Sequence, residues 1–334
     1  MSTDIREIDD YDVDRVFSQV VSQPYPVVLR GIASDWPLVK KAQESDQDAD
    51  RFLRQYYNGT TVHAFVSESD IEGRIFYTED LADNNFRKIS TQMDWILDQL
   101  HENRETRPAP TIYMGSAPIA HCLPGIGKEN SLPHDGIEAT VRIWIGNKTT
   151  VAAHYDAMDN IACVCAGRRR FTLFPPDQLE NLYVGPIDYT PAGQAVSLVN
   201  FDEPDLSRYP RFAEALKHAQ TAELEPGDAI YVPSMWWHHV KGLHDFNILI
   251  NHWWRQCPSF MGAPYDALLH AILNIRDLPE SQRDAWQNIF DFYVFDAEED
   301  NVRHIPEDRR GIVGELDETT ARKIRATLRN KLNR

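Results

Sequence analysis

His154-Tyr155-Asp156 sets two metal-ligating side chains two residues apart. On a strand, alternation sends His154 and Asp156 to one face and Tyr155 to the other, so two donors aim at one point. A remote third donor stands in Pro233-Ser234-Met235-Trp236-Trp237-His238-His239-Val240, after the tight turn Glu225-Pro226-Gly227-Asp228 and an apolar run from Ala229 to Val232. His-x-Asp with a distant His is the two-histidine, one-carboxylate set, which leaves positions open on Fe(II) for a bidentate cosubstrate and then dioxygen. A closed four-ligand structural zinc site leaves none. The triplet alone does not separate such a centre from a hydrogen-bonded His–Asp pair, and either His238 or His239 is available as the third ligand.

The elements that must position these residues are short and β-rich. From Thr111 to Trp254 the chain alternates turn residues with TIYMG, TVRIWIG, TTVAAHYD, IACVCAG, RRFTLF, AVSLV, DAIYV, HHVKGL and FNILINHWW. Nine such runs predict an all-β sandwich or barrel, with His154 to Asp156 inside one strand. Residues 1–110 read as a mixed α/β flank, with a strand at PVVLRG (26–31) and an amphipathic helix at TQMDWILDQLHEN (91–103). Residues 111–260 form the β core. Residues 261–334 turn helical, and the last helix carries Ile324, Leu328 and Leu332 at four-residue spacing, an apolar stripe that must pack on its own barrel or on a second subunit.

The 334 residues carry 34 Lys and Arg against 51 Asp and Glu, a net charge of −17 that disfavours nucleic acid as a first partner. The exception is residues 319–334, where Arg322, Lys323, Arg325, Arg329, Lys331 and Arg334 stand without an acid. No apolar run is long enough to span a membrane, and the acidic start is unlike a signal peptide. Cys122, Cys163, Cys165 and Cys257 are too few for a disulfide framework, so the chain reads as soluble and cytoplasmic with reduced thiols. Cys163 and Cys165 read as small core residues, and His134, His244 and His252 as ordinary polar ones.

TTVAAHYDAMDNIACVCAGRRRFTLFPPDQ, EPGDAIYVPSMWWHHV and NILINHWW, in this order and spacing, resemble the Jumonji-C, cupin-like oxygenases. The likeness is to the branch containing the asparaginyl hydroxylase factor inhibiting hypoxia-inducible factor. PVVLRGIASDWP extends it to roughly residues 20–260. The resemblance implies a mainly β fold, a double-stranded β-helix (jelly-roll), with Fe(II) held by His154, Asp156 and His238, the histidine that directly follows the Trp pair. It implies 2-oxoglutarate as cosubstrate with O2, succinate and CO2 as coproducts, and hydroxylation of a side chain of a protein or peptide. Alternatives are a tRNA or small-molecule hydroxylase of the same superfamily, or a non-catalytic metal- or anion-binding regulatory module. A histone demethylase is disfavoured, because the chain shows no Cys/His-rich zinc module or reader domain.

Arg169 stands where the family places a lysine for the distal carboxylate of 2-oxoglutarate. Alternation turns it inward with Phe171 and Leu173, where a guanidinium needs an anion and can grip a carboxylate bidentately. Tyr113 resembles the tyrosine bonding that carboxylate, and Asn160 and Asn251 resemble asparagines at the other end. Trp253 shares a strand face with Asn251 and is expected to line the pocket. The helices after residue 261 resemble a region through which related hydroxylases form homodimers.

Overall fold

A computed structural model describes residues 3–8, 10–191 and 193–332. Two units are present, residues 1–256 and 257–334. In the first, the strands of the described residues form two sheets. The larger runs in the order 7–8, 27–29, 229–232, 159–166, 247–254, 140–146, 111–118, 62–67, 87–91. The smaller runs 3–4, 220–224, 169–174, 237–242, 150–154, 74–75.

Alternation gives each sheet two different faces. Val28, Ala162, Val164, Ile230, Val232 and Leu249 of the larger sheet meet Phe171, Leu173, Leu224 and Val240 of the smaller in one core cluster. This is the interior of a double-stranded β-helix, so the fold is mainly β and cupin-like. The other face of the larger sheet, through Ile143, Ile145, Ile161, Cys163, Cys165, Ile248 and Ile250, is buried with Phe17, Leu53, Ile96 and Leu97 from the flanking helices. Both thiols are thus inert core groups, fully buried. The helix Asp46–Tyr56 begins where the Ser45 side chain accepts the Asp48 N–H at 3.1 Å, a standard N-cap.

Two expectations need correction, and one strand goes unread. AVSLV forms no strand: it makes a single bridge, Val184 to Ser197, and its Val196 side chain is spent on a satellite cluster with Phe76, Tyr77 and Ala152. The strand Gln220–Leu224 goes unread in the sequence because its polar, partly exposed residues carry no apolar signal. His154-Tyr155-Asp156 is not inside a strand: the strand Thr150–His154 ends at the histidine, and Asp156 lies in the bend leading to Asp159–Ala166.

The second unit holds the helices Pro264–Asn274, Glu280–Phe290 and Glu318–Leu332. The expected terminal helix reached to Arg334, and its last two positions lie outside the described residues. Among the described hydrophobic residues of this unit only Val302 and Ala321 are buried, whereas Leu273 and Phe295 are 72% and 73% exposed. Ile324 and Leu328 line a groove of about 460 Å³ with Phe260, Ile275 and Phe290.

Candidate metal centre

His154 is the last residue of its strand and pairs directly across the ladder with His238, on the strand Trp237–Gly242. Cross-strand partners share a face, so the two rings meet, with centroids 4.2 Å apart. Asp156 reaches them from the bend. Its carbonyl accepts the Met235 N–H at 2.8 Å, tying the bend to the loop that leads into His238. Met235 adopts φ +68°, a left-handed conformation unusual for a long side chain and held here by its surroundings.

The ligand atoms of His154, Asp156 and His238 all lie within 4.8 Å of one another, and His238 Nε2 is 3.7 Å from Asp156 Oδ2. Each histidine Nδ1 meets a carbonyl oxygen: His154 that of Ala152 at 2.9 Å, His238 that of Trp236 at 3.0 Å. A carbonyl only accepts, so each Nδ1 carries a proton, which leaves Nε2 as the atom each ring can offer a metal beside the carboxylate. Burial, reinforced by the neighbouring His154 and opposed by Asp156, pushes His238 down to about 4, so it is neutral at physiological pH. Two imidazoles and one carboxylate whose ligand atoms converge within 4.8 Å fit Fe(II) with open positions. His239, on the other strand face, stacks on Phe201 with centroids 4.7 Å apart.

Arg169 is 2% exposed and among the described residues has no carboxylate within ion-pair distance, and its Nε is buried without a partner. It reaches this place because the turn before it passes through Gly167 at φ +70°, where a Cβ would lie 2.5 Å from the Phe246 carbonyl oxygen. Its guanidinium charge acts on Tyr113, whose phenol is pushed up by burial and held back by this arginine. A buried cation lacking an anion, beside a phenol, fits one carboxylate of a small ligand.

Asn251 and Asn160 share the interior face and bond one another, Nδ2 of Asn251 donating to Oδ1 of Asn160 at 2.9 Å. This leaves Asn251 Oδ1 buried and unpartnered. Trp253 pairs across the ladder with Asn160, and its Nε1 is likewise an orphaned donor. Reading the sequence missed Trp144, which stacks with Tyr113 at 5.8 Å and meets Trp253 edge-on at 5.9 Å, its Nε1 also unpartnered. The alternation of Thr140–Gly146, which turns Arg142 and Trp144 to one side, was the available signal.

His134 and His252 are not the ordinary polar residues expected. His134 Nε2 lies 3.1 Å from His252 Nδ1, and His252 is fully buried among Phe17, Trp36 and His134. No helix of the described residues is long and apolar enough to cross a membrane.

A family model described as a cupin-like domain matches residues 13–260. Lysine-specific demethylase JMJ31 of Arabidopsis thaliana is 34% identical over 118 residues, covering 35% of this chain and 21% of that protein. For tRNA wybutosine-synthesizing protein 5 of Mus musculus the figures are 35% over 106 residues, 32% and 30%. For HSPB1-associated protein 1 of Homo sapiens they are 32% over 159 residues, 46% and 31%. The matched segments thus span less than a third of each relative.

Proposed function

The chain belongs to the cupin-like domain family, and on that premise we propose that it is an Fe(II)- and 2-oxoglutarate-dependent dioxygenase hydroxylating a side chain of a protein or peptide. The observation that carries this reading is the convergence of ligand atoms from His154, His238 and Asp156 within 4.8 Å, with both Nδ1 atoms held on carbonyls. Iron with 2-oxoglutarate and O2 would supply the oxidising power, with succinate and CO2 as coproducts.

The protein's own work is positioning. His154, Asp156 and His238 hold the metal. Arg169 and Tyr113 grip the distal carboxylate of the cosubstrate, while Asn160, Asn251 and Trp253 present polar atoms toward its other end. The apolar cluster around Phe171 and Leu249 closes the interior to water. Succinate formed from 2-oxoglutarate should require Fe(II) and disappear in His154→Ala; succinate that persists in that variant overturns the assignment.

A tRNA substrate is the second reading, favoured by the wybutosine-synthesizing relative and by the basic helix with Arg322, Lys323, Arg325, Arg329 and Lys331. It predicts cross-linking to tRNA that rises at low salt and vanishes when residues 319–334 are removed. We further propose that a second copy covers the apolar surface of residues 257–334, giving a homodimer, because that unit buries so little of its own apolar surface. Sedimentation as a monomer at micromolar concentration contradicts this.

A further inference from the structure

On the larger sheet, the face that carries Asn251 and Trp253 continues as an aromatic shelf across the strands 140–146, 111–118, 62–67 and 87–91. Phe65 and Tyr113 are direct cross-strand partners, as are Phe65 and Lys88, so all three share this face. Rings follow one another along it: Phe86 to Phe65 at 4.9 Å, Phe65 to Tyr113 at 6.4 Å, Tyr113 to Trp144 at 5.8 Å, Trp144 to Trp253 at 5.9 Å. At its inner end stands Arg142, directly opposite Asn251, with its guanidinium carbon 6.0 Å from the centre of the Trp253 ring.

Arg142 is held, but not neutralised. Its Nη1 donates to the Ser116 carbonyl at 2.9 Å and to Ser116 Oγ at 3.2 Å, and among the described residues no carboxylate forms an ion pair with it. The chain has 51 acids, yet the strands Val62–Ser67, Arg87–Thr91, Thr111–Pro118, Thr140–Gly146 and Asn247–Trp254 contain none. Arg142 lies two strand spacings, about 10 Å, from the strand into which Asp156 leads. Arg142 thus stands on the same interior face as Asn251, Asn160 and Trp253.

Resting on the oxygenase reading above, we propose that Arg142 selects the substrate: a peptide bearing a carboxylate close to the residue that enters the site. A half-buried, preoriented guanidinium over an aromatic ring grips a carboxylate through its remaining donors. Lys88, on the same face, adds a second positive charge farther out. The same charges repel a lysine-rich peptide, which sets this shelf against a basic histone-like tail. A nucleic acid strand fits less well, because its many phosphates need more cations than this shelf supplies in a body of net charge −17.

The test is fluorescence anisotropy of the full chain with three labelled twelve-residue probes: an alternating Glu-Ala peptide, a matched Lys-Ala peptide and a mixed-sequence oligoribonucleotide. The Glu-Ala probe should bind most tightly. Arg142→Gln should weaken it roughly tenfold or more, the loss expected for a hydrogen bond between charged groups. Arg142→Lys should restore part of the affinity, which a merely structural role for the side chain would not do. Tighter binding of the basic peptide or the oligoribonucleotide, or an unchanged affinity in Arg142→Gln, overturns the proposal. The measurement needs neither metal nor turnover, so its failure is distinguishable from failure of the iron and succinate assays.

Discussion

Two pairs of histidines are brought together in the first unit, one on the smaller sheet and one against the helix-covered face of the larger, and they differ in what they can bind. His154 and His238 turn their Nδ1 atoms to carbonyls, and their ligand atoms lie within 4.8 Å of that of Asp156. His134 and His252 spend nitrogen on each other, and among the described residues neither forms an ion pair with a carboxylate. Packed against Phe17 and Trp36, the second pair is part of the core. Burial depresses the basicity of both His238 and His252, to about 4 and about 3. Proximity and a buried histidine of lowered basicity are therefore common to both pairs, and the carboxylate is what sets the metal centre apart.

Changes on the metal side should have the largest effects. Asp156→Ala or His238→Ala should cost more than the roughly 10–100-fold loss of metal affinity typical of residues that merely support ligands, measured by Mn(II) titration. Next, Arg169→Gln should raise the 2-oxoglutarate concentration needed for half-maximal succinate formation by about 30-fold or more, because it removes a charge-assisted contact, and Arg169→Lys should recover much of it. On the core side, His252→Ala should lower unfolding free energy by about 2–4 kcal/mol, as for other buried large-to-small changes, while the folded variant still binds Mn(II).

The smallest effect is a pH dependence of the second pair. Burial lowers His252 to about 3 and also lowers His134, so the unfolded chain binds more protons than the folded one below the ordinary histidine value of 6.5. Their stability contribution is complete above that value and is lost as pH falls toward 3. Denaturant midpoints measured from pH 7 to pH 4 should fall less steeply in His252→Ala than in the unaltered chain.

The contrast also marks what was legible beforehand. His154 and Asp156 were readable because two-residue spacing is local, and Arg169 because alternation fixed its direction once Phe171 and Leu173 were read as inward. The apolar runs that became strands were readable for the same reason. His134 and His252 are 118 positions apart, and nothing local announces their meeting. Trp144 and Arg142 lay within a correctly read strand, but their importance comes from neighbours on other strands. AVSLV misled because apolar β-formers satisfy a packing cluster as well as a ladder. Gln220–Leu224 was missed because pairing on both sides, with Thr3–Asp4 and Arg169–Leu173, compensates for its weak propensity.

The most direct test of the metal centre is Mn(II) titration of the unaltered chain, Asp156→Ala and His252→Ala, each verified as folded. One equivalent bound by the first and third, and none by the second, is the predicted result. Equal binding by all three, or loss of binding in His252→Ala alone, contradicts the assignment of His154, Asp156 and His238 as the metal-holding set.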